Sequence, residues 1–120
     1  MKSANLIALS DNELIEEFRH AARELGEVVV NWMPGVRETQ RLFAIRNLLR
    51  QRGQQSRLKL MPLLDDKDPY VRYYAAHELL ALAPQRSRSI IEESARGHDA
   101  IAGDAKGLIR DLDNSQYKPH

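Results

Sequence analysis

The chain contains no cysteine, and this absence excludes disulfide bridges, thiolate chemistry and zinc sites built on cysteine. It also suits a reducing cytoplasm. Long apolar runs are missing as well, because nothing approaches the ~20 apolar residues of a membrane-spanning helix. The apolar stretch at 6–9 after Lys2 is too short for a signal peptide. We therefore predict a cytoplasmic protein that does not enter the membrane.

Charge of one sign is not in excess either, since the net charge is +1. The charges are nonetheless unevenly placed, because residues 31–60 carry seven basic side chains against one acid, whereas residues 1–30 carry six acids. One interpretation is that two neighbouring helices have complementary faces. The alternative is a nucleic-acid surface in the Arg37–Lys59 region, but only Arg37, Arg41 and Arg52 share one side at ~100° per residue. Nucleic-acid binding is kept as the alternative function, and a protein is the expected partner.

Helical periodicity and the positions of proline and glycine predict an all-α chain of about six helices in a single domain. Ser10 and Glu13 form a capping-box pattern that starts the first helix, which either ends at Gly26 or continues toward Trp32. Pro62 should kink the third helix or fix where its regular part begins. We predict an N-terminal segment at 1–9, a helical domain at 10–113 and a frayed polar tail at 114–120. Later helices are predicted at about 36–52, 55–64, 69–83, 84–97 and 99–112.

The stretch from Asp66 to Leu82 organises the predicted fold. Asp68 can cap a helix by accepting a backbone N–H, and Pro69 suits the first helical position. Apolar residues then recur at helical spacing and form a narrow stripe. A shift of 30 residues places this stripe on a second one, which indicates an internal repeat of helix pairs. The two stripes are Val71, Ala75, Leu79 and Leu82, and Ile101, Ala105, Ile109 and Leu112.

The turn Asp66, Asp68, Pro69, Val71, Arg72, followed by Ala75, Ala76 and Leu79, resembles that of a HEAT-type repeat. The chain from 10 to 112 is similar to small bacterial HEAT-like proteins of a domain-of-unknown-function family. This resemblance implies a short HEAT-like α-solenoid, in which the aspartate and the arginine of the turn support the stacking of repeats. It implies structural roles for Asp66 and Arg72, and it supplies no catalytic residue.

An aromatic strip lies on the side of the same helix opposite its apolar stripe. Tyr70, Tyr73, Tyr74 and His77 follow the spacing i, i+3, i+4, i+7. Tyrosine combines a rigid apolar body with a polar tip, which is typical of binding surfaces. Two interpretations stay open: a partner-binding surface, or core covered by the first two helices. As a binding surface, the strip would project Tyr70, Tyr73 and His77 into a groove.

No pattern indicates catalysis, a metal or a cofactor. The four histidines lack the spacing of a zinc-binding helix, and the acidic cluster at 65–68 lacks the glycine of a calcium loop. Gly103 and Gly107, four residues apart, are interpreted as a close helix contact. The sequence therefore predicts a non-enzymatic protein-binding module, an adaptor or inhibitor of a single partner, without cofactor or metal.

Overall fold

Helices make up almost all of the secondary structure. The structure, a computed structural model, describes residues 3–120, with side chains from Asn5 onward, and this range contains six α-helices, two 3₁₀ helices and no strand. The predicted all-α fold is confirmed. No helix in this range has both the length and the apolar composition needed to cross a membrane. The α-helices are α1 (Asp11–Val30), α2 (Val36–Arg52), α3 (Gln54–Leu58), α4 (Pro69–Glu78), α5 (Pro84–Ala95) and α6 (Ala100–Asp113), and the 3₁₀ helices are Ser3–Ala8 and Met61–Asp65.

Local capping signals start the helices where they were predicted. The backbone N–H of Glu13 donates to the Ser10 hydroxyl over 3.1 Å, and the Ser10 N–H donates to the Glu13 carboxylate over 2.9 Å, so the capping box is confirmed. Asp68 accepts the N–H of Tyr70 over 2.8 Å at the start of α4. Asp99 does the same for α6 through the N–H of Ala102, over 3.0 Å. Each cap satisfies a donor that lacks a partner within its helix.

Two predicted helices are shorter in the structure, and each predicted range contains a proline or ends directly before one. The segment predicted at 55–64 divides into α3 and a 3₁₀ helix that contains Pro62, whose nitrogen cannot donate a hydrogen bond. Helix α4 ends at Glu78 instead of Ala83. Ala83 precedes Pro84, which disfavours the α conformation, and its φ of −139° and ψ of 66° lie outside the helical region. The intervening residues form turns, within which Leu79 and Leu80 are buried.

Helix α1 occupies the centre of the fold, because it contacts α2, α4 and α6. Its apolar face is fully buried at Leu14, Phe18 and Ala22. Ala75 and Ala76 of α4, a helix that contacts both α1 and α5, are also fully buried. Helices α4, α5 and α6 follow one another along the chain, and each contacts the next.

Asp66 and Arg72 hold the turn before α4 against α1. Arg19 of α1 donates from Nε to the Asp66 carboxylate over 2.7 Å, and the backbone N–H of Asp68 donates to the same carboxylate over 3.0 Å. Arg72 donates from Nη1 to the Asp66 carbonyl oxygen over 2.7 Å. Both residues therefore stabilise this turn, and the role in repeat stacking that the resemblance implied stays a prediction.

Gly26 does not end α1 but allows a close approach of α4. The helix continues through Gly26 to Val30, and Gly26 itself is buried. A Cβ built on Gly26 would overlap the Cβ and Cγ atoms of Tyr70. Because these atoms sit next to the α4 backbone, they cannot move aside as the end of a long side chain would. Gly26 is thus the residue that sets the distance between α1 and α4.

Gly26→Ala should lower the free energy of unfolding by ~1–3 kcal/mol, as overpacking typically does. Alanine would favour the helix by up to ~1 kcal/mol, but the overlap with Tyr70 should outweigh this gain. The measurement is urea denaturation followed by circular dichroism. Gly103→Ala in α6 is the matched control, because a Cβ there would meet no atom within 4 Å, and it should stabilise by ~0.4–1 kcal/mol. Equal stabilisation by both changes would contradict the close α1–α4 contact.

Candidate functional site: a groove between four helices

The aromatic strip of α4 is divided among three environments. Tyr73 is fully buried, and its hydroxyl donates to the carboxylate of Asp104 on α6. The prediction that Tyr73 projects into an open groove is therefore wrong, because its side chain is fully enclosed and its hydroxyl ends at Asp104. Burial, reinforced by the Asp104 carboxylate, raises the pKa of Tyr73 far above its ordinary value. Tyr73 is therefore a core residue, and the Asp104 carboxylate provides the hydrogen-bond acceptor for its hydroxyl.

Tyr70 is half-buried and lies outside the groove that Tyr74 and His77 line. Its ring packs against Gly26 of α1, and its hydroxyl lies 3.4 Å from the Asp99 carboxylate. Burial is the main cause that raises the pKa of Tyr70. Tyr70 therefore joins α4 to α1 and to the start of α6.

Tyr74 and His77 line a cavity of about 520 Å³, which we call the central groove. It is formed between α1, α2, α4 and α6, and its walls are mainly apolar. A volume of this size is typical of ligand-binding pockets, which span ~300–1,000 Å³. The side chains that contribute most of the apolar wall are Phe18, Leu25, Val29, Leu42, Phe43 and Ile101.

The groove also contains polar groups at its α4 and α6 walls. Burial lowers the pKa of His77 below its ordinary value, although the nearby carboxylates of Asp104 and Glu78 act in the opposite direction. His77 is therefore neutral at neutral pH. Burial also raises the pKa of Tyr74. At its edge, His77 packs against Tyr117, with ring centroids 5.9 Å apart, so the tail at 114–120 contacts the domain here.

Glu78 is a buried carboxylate at one end of the groove, where arginines of α2 and α3 surround it. Arg50 donates twice, from Nε over 2.8 Å and from Nη2 over 3.0 Å. Arg57 reaches both the carboxylate, over 3.4 Å, and the backbone oxygen of Glu78, over 3.2 Å. Arg46 lies farther away, with its Nε 3.9 Å from the carboxylate. We call Arg46, Arg50, Arg57 and Glu78 the arginine cluster.

The arginine cluster was not predicted, although the sequence contains one signal for it. At ~100° per residue, Arg46 and Arg50 lie nearer the side of α2 opposite Arg37 and Arg41, a split that also weakens the case for a nucleic-acid surface. The structure shows that this side faces Glu78. Nothing in the sequence near Glu78 indicates its burial, because the arginines come from distant positions.

The three arginines of the predicted basic patch are mostly paired with acids of α1. Arg41 forms an ion pair with Glu17, and Arg52 donates to Asp11 over 3.0 Å. The Ser56 hydroxyl, followed by Arg52, lowers the pKa of Asp11 to about 2. Arg37 is exposed and makes no ion pair with a described residue. The interpretation of complementary helix faces is confirmed for these pairs, and nucleic-acid binding stays a prediction.

The family of the chain follows from its match over almost the whole helical domain. The family described as "Domain of unknown function (DUF2019)" matches residues 12–113. The chain belongs to the DUF2019 family. No curated protein and no solved structure matches the chain. The DUF2019 match includes every residue that lines the central groove and the whole arginine cluster, so both features lie within the DUF2019 domain itself.

Metal binding finds no support in the described part of this DUF2019 chain. Across residues 3–120, no three side chains of histidine, aspartate or glutamate come together in a way that could hold a metal ion. The carboxylates at the groove accept hydrogen bonds from tyrosine or arginine instead. The site is an apolar concave surface whose charged lining residues are Arg46, Glu78 and Asp104.

Proposed function

We propose that this DUF2019 protein is a non-enzymatic protein-binding module, an adaptor or inhibitor of a single partner, and that its central groove binds an apolar segment of that partner. The observation that carries the proposal is a cavity of about 520 Å³ beside exposed apolar side chains. Clustered apolar exposure of this kind is typical of interaction sites. We further propose a bacterial, cytoplasmic protein whose helix pairs stack in a HEAT-like way.

The exposed apolar residues extend from the groove along α2 and the turn before it. Phe43 lines the groove and is 46% exposed, and Val36 lies two helical turns away on the same face of α2. Trp32 and Met33 in the preceding turn are 77% and 58% exposed. Large apolar and aromatic side chains are the usual anchors of protein interfaces. We call Trp32, Met33, Val36 and Phe43 the apolar rim.

The backbone conformation of Trp32 also supports this proposal. Its φ of 62° lies in the left-handed region, which is uncommon for a bulky residue. Its N–H donates to the Val29 carbonyl over 2.9 Å, so the turn is held in this conformation while the indole stays in solvent. Backbone strain that keeps an aromatic side chain exposed favours a role in recognition.

The polar groups at the groove favour binding over catalysis. Asp104 accepts the hydroxyl of Tyr73, and Glu78 accepts three donors of the arginine cluster. A general acid or base needs a carboxyl that can exchange its proton with a substrate. Both carboxylates are instead engaged by the protein's own donors.

Gly103→Leu should block the groove without disturbing the fold. Gly103 is an exposed residue of α6 that lines the groove, and a Cβ there meets no atom within 4 Å. A leucine would therefore project into the cavity and also favour the helix. We expect an unchanged or raised melting temperature and at least about tenfold weaker partner binding, because an interface anchor contributes ~2 kcal/mol.

The test captures partners from cells of the source organism with the parent, Gly103→Ala and Gly103→Leu as baits. The captured protein is then purified and its affinity measured by calorimetry. A protein bound by the first two baits and lost by the third supports the proposal. A partner that binds all three equally would place the interface elsewhere. A dimer in sedimentation equilibrium that dissociates on Phe43→Ser would assign the apolar rim to a second copy of the chain.

A further inference from the structure

Asp104 is an exposed carboxylate on the α6 wall of the central groove. It forms no ion pair with a described residue, whereas Asp111 and Asp113 of the same helix each pair with an arginine. The Tyr73 hydroxyl donates to one Asp104 oxygen, but a neutral donor leaves the charge of the carboxylate in place. This charge acts on the groove, because it is the second cause, after burial, that raises the pKa of Tyr74.

A second cavity, of about 390 Å³, continues the central groove along α6, and we call it the acidic pocket. Asp111 lines it seven residues after Asp104, so the two carboxylates lie on one face of the helix, about 10 Å apart along its axis. Arg110 pairs with Asp111 over 3.4 Å but is 71% exposed, and exposed pairs of this kind are weak. The two cavities share His77, Gly103 and Asp104, and the acidic pocket is also lined by Gly107, Leu108, Asp111 and Tyr117.

Gly103 and Gly107 keep the surface between these two carboxylates open. A Cβ on Gly103 would meet no atom within 4 Å, and one on Gly107 would meet only the end of Arg110 at 3.9 Å. Glycine destabilises a helix interior relative to alanine, and no packing contact within the described chain offsets that cost here. The α6 backbone is therefore open to the close approach of another helix.

The remaining charges of the central groove offset each other. Arg46 Nε lies 3.9 Å from the Glu78 carboxylate, and Arg46 also donates from Nη2 to the Asn47 side chain over 3.4 Å. Glu78 is enclosed by the arginine cluster. His77 is uncharged at neutral pH, because burial lowers its pKa. Among the described residues that line the two cavities, the charge without a buried or close partner is thus negative and belongs to α6.

We propose that the central groove and the acidic pocket together bind a basic amphipathic helix of the partner protein, with its lysine or arginine side chains against Asp104 and Asp111. This inference rests on the proposed function, and it adds the chemistry of the partner. Amphipathic helices commonly bind in apolar grooves through one face. The apolar face would lie against Leu25, Val29 and Ile101. Two basic residues seven positions apart on the bound helix would match the spacing of the two carboxylates.

Three synthetic peptides test the inference directly. Each is N-acetylated, C-amidated and about 14 residues long, which is near the shortest length that forms an isolated helix. All share one face of leucine and phenylalanine, and two flanking positions, seven residues apart, are Lys in the first, Gln in the second and Glu in the third. Binding to the parent and to each variant is measured by fluorescence anisotropy, and each variant is first melted to confirm that it folds.

We expect the Lys peptide to bind the parent at least about threefold tighter than the Gln peptide, with the Glu peptide weakest, because partly exposed ion pairs are of this strength. The advantage of lysine should shrink as salt is raised, since exposed charges are screened. The protein as a whole carries a net charge of +1, so its overall charge does not favour a lysine peptide.

Asp104→Asn retains an acceptor for the Tyr73 hydroxyl and should remove most of the advantage of lysine. Asp111→Asn should reduce it as well. Asp113→Asn is the matched control, because it removes the same charge from the same helix at an exposed position that lines neither cavity, and it should leave the advantage intact.

Equal affinities for the Lys and Gln peptides would overturn the inference about the basic helix and leave the groove as the binding site. An advantage that persists in Asp104→Asn, or that Asp113→Asn reduces equally, would overturn it too. If no peptide binds, or if binding survives Gly103→Leu, then both this inference and the proposed function are contradicted. The two failures are therefore distinguishable.

Discussion

Glu78→Gln should lower the free energy of unfolding by about 3 kcal/mol. Removing one member of a buried ion pair typically costs ~3–5 kcal/mol, because the charge that remains is left uncompensated. Glu78 is the single carboxylate of the arginine cluster, and it receives two hydrogen bonds from Arg50 and one from Arg57. The arginines are partly exposed and can be rehydrated, so we expect the low end of this range.

The measurement is chemical denaturation monitored by circular dichroism at neutral pH. Glu16→Gln is the matched control, because it removes an exposed carboxylate whose Arg19 partner lies 3.8 Å away, and it should change stability by at most ~0.5 kcal/mol. A loss below ~1 kcal/mol for Glu78→Gln would mean that the arginines do not depend on this carboxylate.

Leu79→Ala should destabilise the protein by ~2–5 kcal/mol, as truncation of buried leucines does. Leu79 is fully buried directly after α4, and its N–H donates to the Ala75 carbonyl over 3.0 Å. The loss would combine the transfer free energy of the removed atoms with the cavity left among packed neighbours.

Leu82→Ala provides the comparison, since both leucines belong to the stripe predicted from the sequence. Leu82 lies in the turn beyond α4 and is only half-buried, so its truncation should cost less than that of Leu79. Thermal melts of the two variants under identical conditions decide the order. If Leu82→Ala is the more destabilising change, the assignment of Leu79 to the core is wrong.

Helix limits were predictable wherever one residue type sets them locally. Ser10 and Glu13, which cap α1, are three residues apart, and Asp68 caps α4 through an N–H only two residues further on. Helix α2 matches its predicted range of 36–52. The C-terminus of α4 was not predictable from periodicity, because Leu79 and Leu82 continue the apolar stripe after the helix ends. Pro84 disfavours the α conformation at Ala83 and so separates this turn from α5, but α4 itself ends earlier, at Glu78.

Glycine roles were the weakest part of the prediction from sequence. The prediction for Gly26 allowed either a helix end or a continuation toward Trp32, and the structure shows the continuation, whereas the close contact predicted for Gly103 and Gly107 is wrong. A Cβ at Gly26 would overlap Tyr70, whereas one at Gly103 would meet no atom and one at Gly107 only Arg110 at 3.9 Å. A glycine inside a helix has the same local conformation whether or not another helix packs closely against it. The sequence around it therefore does not indicate a close contact.

The sequence by itself determined that the chain is helical, where most helices begin, and that Val71 and Ala75 belong to the core. These properties depend on caps, prolines and periodicity, which act over a few residues. Only the tertiary structure decided that Tyr73 is covered, that Glu78 is surrounded by arginines and that the Arg46 guanidinium stacks on Phe43. The contacts of Tyr73 with Asp104 and of Glu78 with Arg50 join positions 31 and 28 residues apart. Which helix covers a given face depends on how all the helices pack together, and no local pattern in the chain specifies that arrangement.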